Sequence, residues 1–124
     1  MREFRCLVFS DQEVITAYVE RLRRLREVLP SGTIRGVEYR TVETGEVHST
    51  ITVVSDSGEC HRLEIRAVEM AASLVDFCLN RKIPIPAASR KWVEVITAGE
   101  MILLMTVAEK KARAFRPRRL PVLK

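Results

Sequence analysis

Three short segments of alternating apolar and polar residues constrain the fold of this chain more than any other feature. They span residues 34–42, 47–55 and 59–66, and the connections between them contain Gly45 and Gly58. Alternation with a period of two is typical of strands with one buried face, and glycines between such segments are typical of tight turns. The middle of the sequence therefore predicts three consecutive antiparallel strands.

The pairing of the second and third of these strands follows from the faces of their side chains. Residues that pair across an antiparallel ladder lie on the same face of the sheet, so Val53 is predicted to pair with His61. This register leaves residues 56–58 as a three-residue loop. Gly58 then stands where a left-handed backbone is favoured.

The segment EFRCLVFS predicts a further strand that is apolar on both faces. Phe4, Cys6 and Val8 alternate with Leu7 and Phe9, which belong to the opposite face. Strands of this kind are found where both faces of a sheet are covered. We therefore expect this first strand to be covered from two sides.

A first helix is predicted directly after this strand. Ser10 and Glu13 form a capping box, and apolar residues at helical spacing continue to about Leu29. The residues PSG at 30–32 end the helix. The polar side of the helix carries Arg21, Arg23, Arg24 and Arg26. This pattern predicts a face exposed to solvent, and the alternative is a phosphate-binding cluster.

A second helix, over residues 67–81, is apolar around most of its circumference. A helix of this kind needs cover on more than one side. We expect a second subunit to supply part of that cover, in a dimer formed through this helix or through a sheet face. The alternative is a helix buried between the sheet and the loops of its own chain. The residues predicted to self-associate are Met70, Leu74, Phe77 and Cys78.

The remainder of the body predicts a strap and a hairpin. Two Ile-Pro pairs within residues 81–91 favour an extended segment that packs on its own domain. A final hairpin is predicted to turn across residues 97–100. A single helix over residues 100–115 is the alternative, because the apolar residues of that stretch also fall at helical spacing.

The resulting order β-α-β-β-β-α-β-β predicts an α+β fold. We expect a two-layer sandwich in which two helices pack on a mainly antiparallel sheet of five to six strands. Residues 1–109 are predicted to form a single domain, and residues 110–124 a flexible basic C-terminal tail.

The positive charge of the chain is concentrated in this tail. The tail contains seven lysines and arginines and no acid, so the formal charge of +5 less those seven leaves −2 on residues 1–109. A tail of this kind is most often a disordered, solubilising terminus; the alternative is contact with a nucleic acid or another polyanion. The residues predicted to make such contacts are Lys110, Lys111, Arg113, Phe115, Arg116, Arg118 and Arg119.

Residues with reactive side chains are few and scattered. Cys6, Cys60 and Cys78 are widely spaced, which is typical of thiols in a reducing compartment. His48 and His61 are too far apart along the predicted strands to share a metal ion. The sequence therefore predicts no catalytic, metal or cofactor site, although an enzyme assembled from distant residues stays open.

Together these patterns favour a small non-enzymatic interaction module that self-associates as a homodimer. The acidic residues of the N-terminal segment and the shortness of the apolar runs predict a cytoplasmic protein without a membrane span. A nucleic-acid-associated protein that uses the tail is one alternative. A small ligand-binding domain or enzyme without a local motif is the other.

Overall fold

The computed structural model describes residues 4–86, 89–97 and 100–106, and their elements follow the predicted order. An α+β fold with two helices and antiparallel strands is therefore confirmed. The elements are β1 (Phe4–Ser10), α1 (Asp11–Arg24), β2 (Thr33–Thr41), β3 (Val47–Val54), β4 (Cys60–Ile65), α2 (Ala67–Asn80), β5 (Arg90–Thr97) and β6 (Glu100–Thr106).

The described strands form two three-stranded sheets where a single larger sheet was expected. One sheet has the order β2–β3–β4 and the other the order β1–β6–β5, and every pairing is antiparallel. The first sheet forms between neighbours in sequence because two short turns join its strands. The second sheet brings the first and last described strands together around β6, which no local pattern of the sequence indicates.

The capping box of α1 is confirmed, but the helix ends five residues before the predicted Leu29. The Ser10 hydroxyl accepts a hydrogen bond from the Glu13 N–H at 3.2 Å, and the Ser10 N–H donates to the Glu13 carboxylate at 2.9 Å. At the other end the Glu27 N–H donates to the Leu22 carbonyl. This bond closes the helix around Arg26, which has a φ of 59°, in a Schellman arrangement.

The register predicted for β3 and β4 is confirmed. Val53 pairs with His61, and the Ser55 N–H donates to the Glu59 carbonyl at 2.8 Å. Residues 56–58 therefore form the three-residue loop, and Gly58 has the left-handed φ of 91° that this loop requires.

The predicted final hairpin is also confirmed, because Thr97 pairs with Glu100 and β5 runs antiparallel to β6. Residues 100–106 form a strand, so the alternative of one helix over 100–115 is wrong for that part. Residues 107–115 lie outside the described residues.

The hydrophobic core lies where both helices meet the inner faces of both sheets. Val14 and Leu22 of α1 and Leu74 of α2 pack there with Ile51 of β3 and Leu103 of β6. The strap predicted after α2 packs against the same cluster through Ile83 and Ile85, which are partly buried.

Candidate interaction surface

One face of β1 is buried and the other is open. Phe9 is buried in the core, whereas Phe4 is 62% exposed and Val8 is 52% exposed. Cys6, between them on the same face, is also exposed. Cover on both sides of β1 was expected, and the described chain covers only one side.

The open side continues onto β5, the far strand of the same sheet. Val93 is buried, so its neighbours Trp92 and Glu94 belong to the opposite, outward side of the strand. The Trp92 indole N–H donates to the Glu94 carboxylate at 2.9 Å, and the Arg90 guanidinium lies 5.2 Å from the Trp92 ring centroid. We call this open side of the β1–β6–β5 sheet the outer face; its described side chains include Phe4, Cys6, Val8, Arg90, Trp92 and Glu94.

The four α2 residues predicted to self-associate do not contribute to any surface. Met70, Leu74 and Cys78 have no exposed area, and Phe77 is 7% exposed. Burial raises the pKa of the Cys78 thiol. α1 and both sheets pack around these four side chains, as in the alternative of a helix buried within its own chain. Because the four side chains lie in the core, the self-association proposed below uses another surface.

The polar stripe of α2 contacts the arginines of α1. Asp76 accepts hydrogen bonds from Arg21 at 2.9 Å and from Arg24 at 2.6 Å. These two arginines therefore hold the helices together, while Arg23 and Arg26 are exposed. Of the four arginines on the polar side of α1, two contact Asp76, so the phosphate-binding alternative has only Arg23 and Arg26 left to use.

Arg81 makes a second link between the helices. Its guanidinium donates to the Glu20 carboxylate at 2.9 Å and lies 3.6 Å from the centroid of the Phe77 ring. The hydrogen bond from Arg81 lowers the pKa of Glu20. The contact also covers one edge of the core, because the guanidinium stacks on an aromatic ring.

A shallow cleft of about 720 Å³ lies over residues of the other sheet. Its charged side chains include Arg40 and Glu64, which are 3.5 Å apart and are 62% and 60% exposed. Glu38 and Arg62 also line it, so both signs of charge are present. This cleft is the place where a small-ligand function would act.

A smaller cleft of about 340 Å³ lies at the start of α2 and is lined by Glu46, Val68 and Trp92, among others. Glu46 accepts hydrogen bonds from the Arg66 side chain at 3.3 Å and from the Ala67 N–H at 3.3 Å. The bond from Arg66 is the main reason that the pKa of Glu46 is lowered. The carboxylate satisfies the positive end of the α2 dipole and so has a structural role.

The reactive side chains of the described residues do not converge. Cys60 is exposed on β4, and the His61 imidazole lies 3.6 Å from Glu59. Within residues 4–86, 89–97 and 100–106, no group of three histidine, cysteine or acidic side chains is arranged to hold a metal ion. None of the helices in that part of the chain is long and apolar enough to cross a membrane.

The predicted nucleic-acid contacts, from Lys110 to Arg119, lie outside the described residues. A dimer through a sheet face was among the expectations, but the residues of the outer face were not identified as an interaction site. The signal was present in the apolar character of Phe4 and Val8, but it was interpreted as burial within the chain. Comparison of the chain with protein-family models, with curated proteins and with solved structures found no match.

Proposed function

We propose that the protein is a small non-enzymatic interaction module of the cytoplasm, and that two copies form a homodimer through the outer face. The exposure of Phe4 and Val8 on a strand whose opposite face packs against the core carries this proposal. Contiguous apolar surface on a soluble domain marks an interaction site. The sequence of β1 is typical of a strand that is covered on both sides, and the described chain covers only one of these sides.

The charges of the outer face favour a second copy over an unrelated partner. Arg90 and Glu94 lie on the same face of β5, on either side of Trp92. A face that carries both signs at matched positions can be complementary to itself. Two-fold symmetry, the commonest symmetry of oligomers, requires such self-complementarity.

The size of the face indicates a weak dimer. Three strands of about seven residues give a footprint of about 14 by 23 Å, from the spacing and rise of β-strands. Such a footprint, about 320 Å² per copy, is smaller than that of stable interfaces and belongs to a weak, transient one. We therefore expect a Kd of about 100 μM, or about −5.5 kcal/mol of binding free energy.

Sedimentation equilibrium on the purified protein tests this proposal. Between about 1 and 300 μM, which brackets the expected Kd, the mass should rise from 14.2 kDa toward twice that value. Val8→Lys should hold the protein at the monomer mass, because it places a charge on the apolar part of the outer face. Phe4→Lys is a second variant at the end of the same strand, and circular dichroism confirms that each variant is folded.

Val28→Lys is the matched control. Val28 is 93% exposed but lies in the connection after α1 and belongs to neither sheet, so its replacement should leave dimerisation unchanged. A wild-type protein that is monomeric throughout the range would refute the proposal. So would a Val8→Lys variant that associates as tightly as the wild type.

The two-layer arrangement expected from the sequence is also part of this proposal. Both helices contact strands of both sheets, which supports one helical layer on one strand layer. In the homodimer, the strand layer of each copy would then be covered by the strand layer of the other copy.

A second function, association with nucleic acid through residues 110–124, is supported by the seven positive charges of that segment. If all seven met phosphates of duplex DNA, log affinity would fall with log salt at a slope of about −6. Deletion of residues 110–124 should then abolish binding to a labelled duplex. Unchanged binding by the deletion variant would exclude this role for the tail.

A ligand-binding function is the third proposal and would use the cleft that contains Arg40 and Glu64. The mixed charges favour a small zwitterion. Free amino acids should then raise the Tm of the wild type, and Arg62→Ala should remove this effect.

A further inference from the structure

The pairing of the strands arranges the outer face in three parallel rows. Each row runs across β1, β6 and β5, because the register of β6 with both neighbours is known. Through this register Phe4 and Arg90 form the first row, Cys6 and Trp92 the middle row, and Val8 and Glu94 the third row.

These rows have a simple symmetry. A two-fold axis that lies in the plane of the interface and runs along the middle row exchanges the first row of one copy with the third row of the other. Phe4 then faces the partner's Val8, which pairs two apolar side chains. Arg90 faces the partner's Glu94, which pairs opposite charges.

From this arrangement, and on the basis of the function proposed above, we propose that the homodimer packs face to face about an axis along the Cys6–Trp92 row. In this dimer Cys6 lies opposite the partner's Cys6, and Trp92 lies opposite the partner's Trp92. Cys6 and Trp92 thus each meet their own copy, and the off-axis side chains of β1 and β5 meet partners of complementary character. Edge-to-edge pairing of β5 strands would not bring the Cys6 thiols together, because β5 and β1 lie on opposite edges of the sheet.

The distance between the two thiols follows from sheet packing. Packed sheets are about 10 Å apart, and each cysteine side chain extends roughly 2.5 Å toward the other, so the sulfur atoms are expected about 5 Å apart. A direct disulfide needs Cα atoms within about 7 Å and is not expected. A bifunctional methanethiosulfonate with a two-carbon spacer matches the gap between the thiols.

Cross-linking with this reagent is the first arm of the test. In a Cys60→Ser background Cys6 is the exposed thiol, because Cys78 is buried. The reagent should convert the protein to covalent dimer at concentrations above the Kd, and a Cys6→Ser, Cys60→Ser variant should give none. The Cys6→Ser variant that retains Cys60 tests the specificity of the reaction, and it should also give no covalent dimer.

Charge exchange is the second arm. Arg90→Glu and Glu94→Arg should each weaken dimerisation about tenfold, since each creates two like-charged contacts per dimer at roughly 0.7 kcal/mol apiece. The double variant, which restores opposite charges across the axis, should return to within about threefold of the wild type. Arg62→Glu, on the other sheet, is the control and should have no effect.

The outcomes separate this arrangement from the function on which it rests. A monomeric wild-type protein would refute both the proposed homodimer and its axis. A dimer that Val8→Lys dissociates, but that gives no Cys6 cross-link and no rescue by the double charge exchange, would keep the function and refute the axis.

Discussion

The carboxylate of Glu46 lies 3.3 Å from the guanidinium of Arg66 at the start of α2. The same carboxylate accepts the N–H of Ala67 and lies 3.4 Å from the His48 imidazole. Three groups from two parts of the chain, the start of β3 and the start of α2, thus meet at one acid. The β2–β3 turn is in this way attached to the N-terminus of the helix.

The stability of the protein should depend on the ionisation of Glu46. The pKa of Glu46 is lowered in the folded protein, chiefly by Arg66, so the stabilisation is present above its unfolded pKa of about 4.3. It is lost as the pH falls through the lower folded value. Urea titrations between pH 3 and pH 6 should therefore show a smaller loss of stability on acidification for Glu46→Gln than for the wild type. Glu43→Gln, in the same turn, should keep the wild-type slope, and equal slopes for all three proteins would contradict the prediction.

Both helices end around a residue other than glycine in the left-handed conformation. Arg26 and Lys82 each have a φ of 59°, which strains a residue that carries a Cβ atom. Lys82→Gly should therefore raise the free energy of unfolding by roughly 0.5 kcal/mol, after the entropic cost of glycine in the unfolded chain is subtracted. Chemical denaturation measures this, with Lys82→Ala as the control that removes the side chain and keeps the strain. A Gly variant no more stable than the Ala variant would show that the strain is negligible.

Gly32 should be the glycine least tolerant of substitution among those described. A Cβ atom at this position would lie 2.2 Å from the Val54 carbonyl oxygen. At Gly45, which also has a left-handed φ, a Cβ atom would meet open space. Gly32→Ala should therefore destabilise by about 3 kcal/mol through strain and overpacking, and Gly45→Ala by about 1 kcal/mol through strain alone. Similar losses in thermal and chemical denaturation would show that the β3 backbone moves to accommodate the methyl group.

Ser49 is fully buried, and its hydroxyl makes no hydrogen bond to any of the described residues. A buried hydroxyl without a partner is unfavourable, so Ser49→Ala should stabilise the protein by about 1 kcal/mol. Thr50→Ala, at the half-buried neighbouring position whose hydroxyl donates to Glu64, should change stability by less than about 0.5 kcal/mol. A loss of stability in Ser49→Ala would show that the hydroxyl binds an ordered water.

The parts of the fold that the sequence predicted well are those determined by local geometry. The pairing of Val53 with His61 follows from side-chain alternation and a short loop, and Ser10 and Glu13 form their cap within four residues. The end of α1 was predicted too late because Leu29 continues the helical pattern. Leu29 does pack against the core, but it does so from the connecting segment, after a left-handed Arg26 that has no sequence signature.

The contacts between distant segments were not predictable in the same way. Nothing near Phe9 or Phe77 indicates that their rings meet at 5.8 Å, and this contact is part of what buries α2 within its own chain. The openness of the outer face is also a property of the whole fold. The pattern of Phe4, Cys6 and Val8 shows that cover is needed, and the three-dimensional arrangement decides whether the same chain supplies it.

The position of β6 between β1 and β5 has a consequence for biosynthesis. Phe4 pairs with Thr106, so β1 emerges from the ribosome about 100 residues before its partner strand is made. The β2–β3–β4 sheet needs only neighbouring segments and can close meanwhile, because local contacts form fastest. During translation the nascent chain therefore carries an unsatisfied strand edge, a natural substrate for a chaperone, until the last hairpin is released.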